Sequence, residues 1–243
     1  MNHIRAWVRL RELERRTVRF LGGLSNRDLE YEFAYRQVVG EQASVLDVGG
    51  CESLLPLKLA RRGYAVTVYD FRAYPESHPN LTSIRGDFLD NRLPDKSFDF
   101  VLLISAIEHF GFGSYGAPAY QDGDFRAMAE ARRVVKPSGR IVLTFPMASR
   151  PHEVAGFERW YDIARVRRLV AGLHILAEEF YVPHTWFLGR VVKWLPASLD
   201  QITDVDDVVK RYGCQCVGCY SLSQTPAAHL YHAETSAGVI GSP

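Results

Sequence analysis

At 243 residues, 47% of them hydrophobic and 23% charged, the chain has the length of one α/β domain and the make-up of a globular protein that folds without disulfides or metal. Its 29 Lys+Arg against 28 Asp+Glu leave a formal charge of +1, which supplies no general pull toward nucleic acid or acidic membranes. These figures exclude intrinsic disorder, a fibrous repeat and a secreted disulfide scaffold. No apolar run reaches the roughly 18 residues of a spanning helix, residues 1–20 lack the continuous apolar centre of a secretory signal, and the four cysteines form no oxidised framework, so a cytoplasmic protein is predicted.

Residues 1–40 read as a helical preface. In its first turns Ile4, Trp7, Val8 and Leu10 alternate with Arg5, Arg9 and Arg11, either as a helix packed on the domain with a solvated basic face or as one shaped like a transit or interfacial helix. From residue 44 short β-branched runs alternate with helical stretches. Strands are predicted at 44–48, 65–69, 81–85, 98–105, 140–145, 174–181 and 214–222, and helices at 54–62, 124–135 and 163–170. Lys136-Pro137-Ser138-Gly139 stops the second of these helices. Such alternation predicts right-handed crossovers and a parallel sheet with helices on both faces. Residues 182–211 are long enough to be an insertion over a site. No second domain is visible.

In sheets of this kind ligands bind at the carboxyl ends of the strands. That rule selects Gly49, Asp70, Asp87 and the segment from Ser105 onward. The turn after the first strand, Asp47-Val48-Gly49-Gly50-Cys51, lets backbone approach a ligand closely. Asp70, 23 residues after Asp47, can accept from both hydroxyls of a ribose. Asp87 beside Phe88 suits an adenine, the carboxylate accepting from the exocyclic amine and an apolar neighbour packing on the ring. A dinucleotide-binding turn would need Gly-x-Gly-x-x-Gly, and the later glycines are absent. Glu52 would also repel a pyrophosphate at this turn.

With VLDVGG at 45–50, Asp70 after AVTVY, GDF at 86–88, FDFVLLISAIEH at 98–109 and RAMAEARRVVKPSGRIVLTFP at 126–146, the chain resembles the class I S-adenosylmethionine-dependent methyltransferases. It departs from their usual Asp/Glu-x-Gly-x-Gly-x-Gly turn at Cys51 and Ser53. The resemblance implies a Rossmann-like doubly wound α/β sheet of seven strands, mostly parallel with an antiparallel last strand. It implies a single domain over 1–243, with a donor-binding core at 41–150 and acceptor-side and C-terminal strands at 151–243. S-adenosyl-L-methionine is the implied cofactor, held by Asp47, Gly49, Gly50, Cys51, Asp70, Phe71, Asp87, Phe88, Ser105 and Ala106. Arg27, Asp28, Glu30, Tyr31 and Phe33 fall where relatives carry a lid near the donor.

His109 is the candidate general base, with Glu108 and His109 alternatively only ordering the next loop. Glu108, Tyr115 in the glycine-aromatic loop 110–118, His152 and Tyr161 are candidate acceptor-binding residues, and Glu153, Arg159 and Trp160 lie in the same segment as the last two. The expected activity is methyl transfer to a small-molecule or sugar-like acceptor, at oxygen. No Asn/Asp-Pro-Pro-Tyr follows the central strand, which argues against nucleic acid as acceptor. The alternative is a catalytically degenerate, donor-binding scaffold. Cys214-x-Cys216-x-x-Cys219 with His229 and His232 has zinc-ligand chemistry, but a regular strand turns Cys219 to the opposite face from the other two cysteines, so no metal is expected.

Overall fold

The computed structural model describes residues 24–113, 118–154, 156–187, 190–203 and 216–226, with scattered positions among the first 20. Five strands run parallel: β1 (Ser44–Val48), β2 (Ala65–Asp70), β3 (Leu81–Arg85), β4 (Phe98–Ile104) and β5 (Val135–Met147). The later strands are β6 (His152–Val154), β7 (Glu158–Trp160), β8 (His174–Phe187), β9 (Arg190–Ala197) and β10 (Cys216–Ser223). Among the described residues the main sheet has eight strands in the order β3-β2-β1-β4-β5-β10-β8-β9, and β6 pairs with β7 in a separate hairpin.

The last strand, β10, is antiparallel to its neighbours β5 and β8, as expected. It sits inside the sheet rather than at its rim. The sheet is one strand wider than expected because β8 runs on past residue 181 and folds back as β9. Part of the anticipated insertion at 182–211 is therefore sheet edge. The predicted turn at 136–139 survives as a bulge: β4 pairs Phe98 with Val135 and then Phe100 with Arg140. Gly139 is needed there, since a Cβ on it would lie 2.7 Å from the Asp99 carbonyl oxygen.

The helices are α1 (Asn26–Gln37), α2 (Leu55–Arg61), α3 (Gly123–Val134), α4 (Ile163–Leu169) and α5 (Leu199–Thr203). Ser25 and Asp28 form a reciprocal capping box that starts α1. The period-2 alternation of the strands splits the core in two. Leu46, Val101, Leu103 and Leu143 face one layer with Ala127, Met128 and Ala131 of α3 and Val166 and Leu169 of α4. Val45, Val68, Leu102 and Val142 face the other, with Phe33 and Ala34 of α1 and Leu55 and Leu59 of α2. Each large aliphatic side chain so buried contributes roughly 1.5–3 kcal/mol. Both layers leave the carboxyl ends of β1, β2 and β4 side by side.

Candidate active site

Gly49 ends β1 with φ 77°, a left-handed conformation that favours glycine. Its N–H donates to the Tyr69 carbonyl of β2, 2.9 Å away. A Cβ on Gly49 would stand 3.0 Å from the Cβ of Ala106, just beyond β4. The bare backbone of β1 thus faces the residue that follows β4. Gly50 to Glu52 make a single 3-10 turn, and a Cβ on Gly50 would meet the Asp47 carboxylate at 2.7 Å.

Asp70 at the end of β2 is already oriented. Its Oδ2 accepts from the Cys51 N–H at 3.2 Å and its Oδ1 from the Arg72 N–H at 2.9 Å. Oδ1 also accepts from Arg72 Nε at 3.5 Å; of the roughly four acceptor directions of a carboxylate, one on Oδ2 is left for a ribose hydroxyl. Arg72 also pairs with Glu52 at 2.5 Å. The charge expected to repel a phosphate at this turn is therefore already paired, through an arginine that sequence reasoning overlooked. Arg72 stands two residues after Asp70, and only the fold brings it to Glu52. Phe71, next to it, accepts from Arg85 Nε through its carbonyl at 2.8 Å.

Asp87 follows β3 and caps a 3-10 turn, accepting from Leu89 N–H at 2.8 Å. Phe88 is not available as an open platform for a ring: it is 2% exposed, edge-on to Tyr69 and Phe110. Cys51 is likewise a core side chain, its thiol pushed up to about 12 by burial. What either residue can offer a ligand in this conformation is backbone.

Beyond β4, Ser105 has φ 44°, unusual for a residue with a side chain. Several contacts hold it there. Its N–H donates to Thr144 and its Oγ donates to Glu30 Oε1 at 2.5 Å. Arg27 bridges Glu30, at 3.0 Å, and the Ile104 carbonyl. The α1 residues expected to form a lid therefore lie on the end of β4. Burial pushes the Asp47 carboxyl up to about 8, with Asp70 adding to the push and Arg27 opposing it. Glu108 is pushed up to about 8 by burial, again against Arg27. Asp47 Oδ2 and Glu108 Oε2 have no hydrogen-bond partner among the described residues.

His109 Nδ1 lies 2.9 Å from the Phe157 carbonyl. A carbonyl only accepts, so Nδ1 carries the proton and the Nε2 lone pair is the basic one. Nε2 is 4.0 Å from Glu108 Oε1. Burial lowers the His109 pKa, partly offset by the Phe157 carbonyl. The lowered pKa favours the neutral ring, the form a base requires.

The hairpin β6–β7 brings Phe157 to His109, the two rings 4.7 Å apart. Sequence reading placed acceptor-side candidates in this segment but no strands; His152-Glu153-Val154 and Glu158-Arg159-Trp160 around Gly156 were the available signal. His152 is exposed on β6 against Trp160. Two candidates for acceptor binding lie below the surface. Tyr161 is fully buried, with its ring on Phe145 and its hydroxyl donating to the Ile107 carbonyl. It belongs to the core because its backbone bridges to β5 at Met147. Glu108 is 2% exposed. Tyr115 lies outside the described residues. On either side of it the aromatic loop is closed by a bridge between Phe112 and Ala119, with Arg159 over the Phe112 ring.

Cys216 and Cys219 of the zinc-like motif are buried, in no disulfide, and lie in opposite core layers. Cys214, His229 and His232 lie outside the described residues. Among the described residues no cluster of three potential metal ligands occurs, and no helix is long and apolar enough to cross a membrane.

Comparison with known proteins defines the fold. Residues 46–143 match the family model described as a methyltransferase domain. A solved structure from Burkholderia thailandensis, a 1,6-didemethyltoxoflavin-N1-methyltransferase with S-adenosylhomocysteine bound, superposes with a TM-score of 0.56 at 13% identity, covering 81% of this chain and 77% of that one. The YcgJ protein of Bacillus subtilis gives 0.56 at 13% identity, over 81% and 99%. The [4+2]-cyclase SpnF gives 0.55 at 18% identity, over 81% and 80%. No curated protein sequence matches the chain. The fold is thus the Rossmann-like fold of S-adenosylmethionine-dependent methyltransferases, and it is similar to a cyclase as well as to methyltransferases.

Proposed function

We propose that the chain transfers a methyl group from S-adenosylmethionine to a small-molecule or sugar-like acceptor, at oxygen. One observation carries the donor reading: Gly49, Asp70 and Ala106 meet at the carboxyl ends of three adjacent strands, with the β1 backbone bare between them. The residues fit this cofactor. Asp70 is pre-oriented for a ribose hydroxyl, and Gly49 leaves bare backbone beside Ala106. The methyltransferase-domain match over 46–143 supports the same reading.

S-adenosylmethionine supplies an activated methyl on a sulfonium, so holding the acceptor in line is the main task left to the protein. Ser105, fixed by Glu30 and Thr144, and Ala106 shape the floor between donor and acceptor. His109 takes the acceptor hydroxyl proton on Nε2, with Nδ1 held by the Phe157 carbonyl. The hairpin β6–β7 thereby sets the ring orientation and forms one wall of the acceptor side.

A second reading, a donor-binding scaffold without turnover, draws on the replacement of the family's later glycines by Cys51 and Ser53 and on the existing bonds to Asp70. Calorimetric titration with S-adenosylmethionine and S-adenosylhomocysteine, with NADH as control, tests the donor site. Saturable binding is expected, weakened on the order of a hundredfold in Asp70→Ala, the equivalent of about 3 kcal/mol of charged hydrogen bonds. A folded sample that binds neither overturns the donor reading. Binding without methyl transfer across hydroxylated acceptors supports the scaffold. Full turnover by His109→Ala removes His109 as the base.

A further inference from the structure

The neutral overall charge hides a local asymmetry. Residues 1–20 contain six arginines, at 5, 9, 11, 15, 16 and 19, against two glutamates, at 12 and 14. The described positions in this stretch, from Ile4 to Phe20, are helical. At 100° per residue, Leu10, Leu13, Thr17 and Phe20 fall within one narrow stripe. That stripe faces solvent: Leu10 is 57%, Leu13 62% and Phe20 90% exposed. Arg9 and Arg16 are exposed and border it on one side. The inner side is anchored: Ile4 packs against the core layer of Phe33, Leu55 and Leu59.

The surface beside this helix is also basic. An open groove of about 590 Å³ between α1 and α2 is lined by Arg36, Lys58, Arg61 and Arg62, with Glu32 and Tyr35. Arg36 is committed to Glu179 and Arg62 lies over the Tyr35 ring. Ile4 of the N-terminal helix and Tyr35 of the groove pack against the same core layer.

From this arrangement we infer that the N-terminal helix is an interfacial element that docks the protein on an anionic lipid surface, burying Leu10, Leu13 and Phe20 among the acyl chains while arginines pair with headgroup phosphates. Apolar side chains flanked by arginines match such a surface on both counts. A second copy of this chain matches it poorly, because a two-fold contact through the stripe sets Arg9 and Arg16 against their own counterparts. Nucleic acid would answer the arginines and leave the leucines and phenylalanine unused. The inference is independent of the proposed methyl transfer, and so is its test.

The 243-residue chain is floated with vesicles of phosphatidylcholine, alone or mixed with phosphatidylglycerol. Capture by the anionic vesicles is expected, with little on the neutral ones, falling as salt is raised. Leu13→Glu with Phe20→Glu, and separately Arg9→Glu with Arg16→Glu, each reduce capture on the order of tenfold. Far-UV circular dichroism stays unchanged in both variants. No capture by anionic vesicles, equal capture by neutral ones, or capture unaffected by both variants overturns the proposal. So does a dimer in light scattering, or RNA binding that survives Leu13→Glu, in the absence of vesicle binding.

Discussion

The two halves of the sheet present their strand ends differently. Along β3, β2, β1 and β4 the pairing is parallel, and the residues that leave β1, β2 and β4 (Gly49, Asp70, Ser105) enter the candidate site directly. Along β5, β10, β8 and β9 the pairing is antiparallel, bulged in β10–β8 and β8–β9, and continued into a 14-residue strand at β8. There the site-side contribution comes from outside the sheet, through the β6–β7 hairpin. The first half makes its site from chain neighbours of each strand. The second makes it from contacts between segments far apart in sequence, and charged pairs hold those contacts.

That contrast breaks most readily at Asp124. This fully buried carboxylate of α3 binds Arg165 of α4 at 2.9 Å and Arg159 of β7 at 3.5 Å. Asp124→Ala leaves buried guanidinium charge uncompensated and is expected to cost about 3–5 kcal/mol. Denaturant unfolding measures the loss. A change below about 1 kcal/mol would show that the hairpin is held by its apolar contacts instead.

Gly49→Val tests the donor half. The left-handed backbone and the 3.0 Å approach to Ala106 both resist a side chain, so a cost of roughly 1–3 kcal/mol and loss of S-adenosylmethionine binding are expected together. Stability lost with binding intact would separate the turn from the donor site.

The buried carboxyls sharpen the comparison through pH. Asp47 and Glu108 have folded-state pKa values of about 8, above their ordinary values of 3.8 and 4.5. The folded chain therefore holds protons that the unfolded chain releases. Stability is full below the ordinary carboxyl range and is lost as pH rises through about 8. Asp47→Asn and Glu108→Gln remove that loss and are expected to raise the thermal midpoint by roughly a few degrees at alkaline pH, with little gain in acid. Identical pH profiles for wild type and variants would contradict the assignment.

Arg36→Ala should do least. The pair it makes with Glu179 joins α1 to β8 through two 2.7 Å contacts, but both side chains reach solvent. The expected cost is about 0–1 kcal/mol by thermal unfolding.

Much of the first half could be read directly from the residues. Short β-branched runs bounded by Gly49-Gly50, Asp70 and Gly86-Asp87 became β1, β2 and β3 within a residue of their expected ends, since local propensity and burial there agree. The same agreement set the class of fold and the rule that the site follows the strands. The second half needed long-range information. Nothing local to residues 174–187 distinguishes a strand that stops at 181 from one that folds back as a further edge. The hairpin that orients His109 has strands of three residues each, too short to carry a period.

Among the site residues, the types at Asp70, Asp87 and His109 pointed to chemistry by themselves, and Asp47 and Ser105 entered through the family resemblance. Tertiary structure decided their states. Burial pushes the Asp47 and Glu108 carboxyls up, the Phe157 carbonyl selects the His109 tautomer, the Cys51 N–H and Arg72 aim Asp70, and packing removes Tyr161 and Phe88 from the surface. A residue's identity is written in the chain, whereas its charge, orientation and accessibility come from neighbours up to dozens of positions away, which only the folded chain assembles.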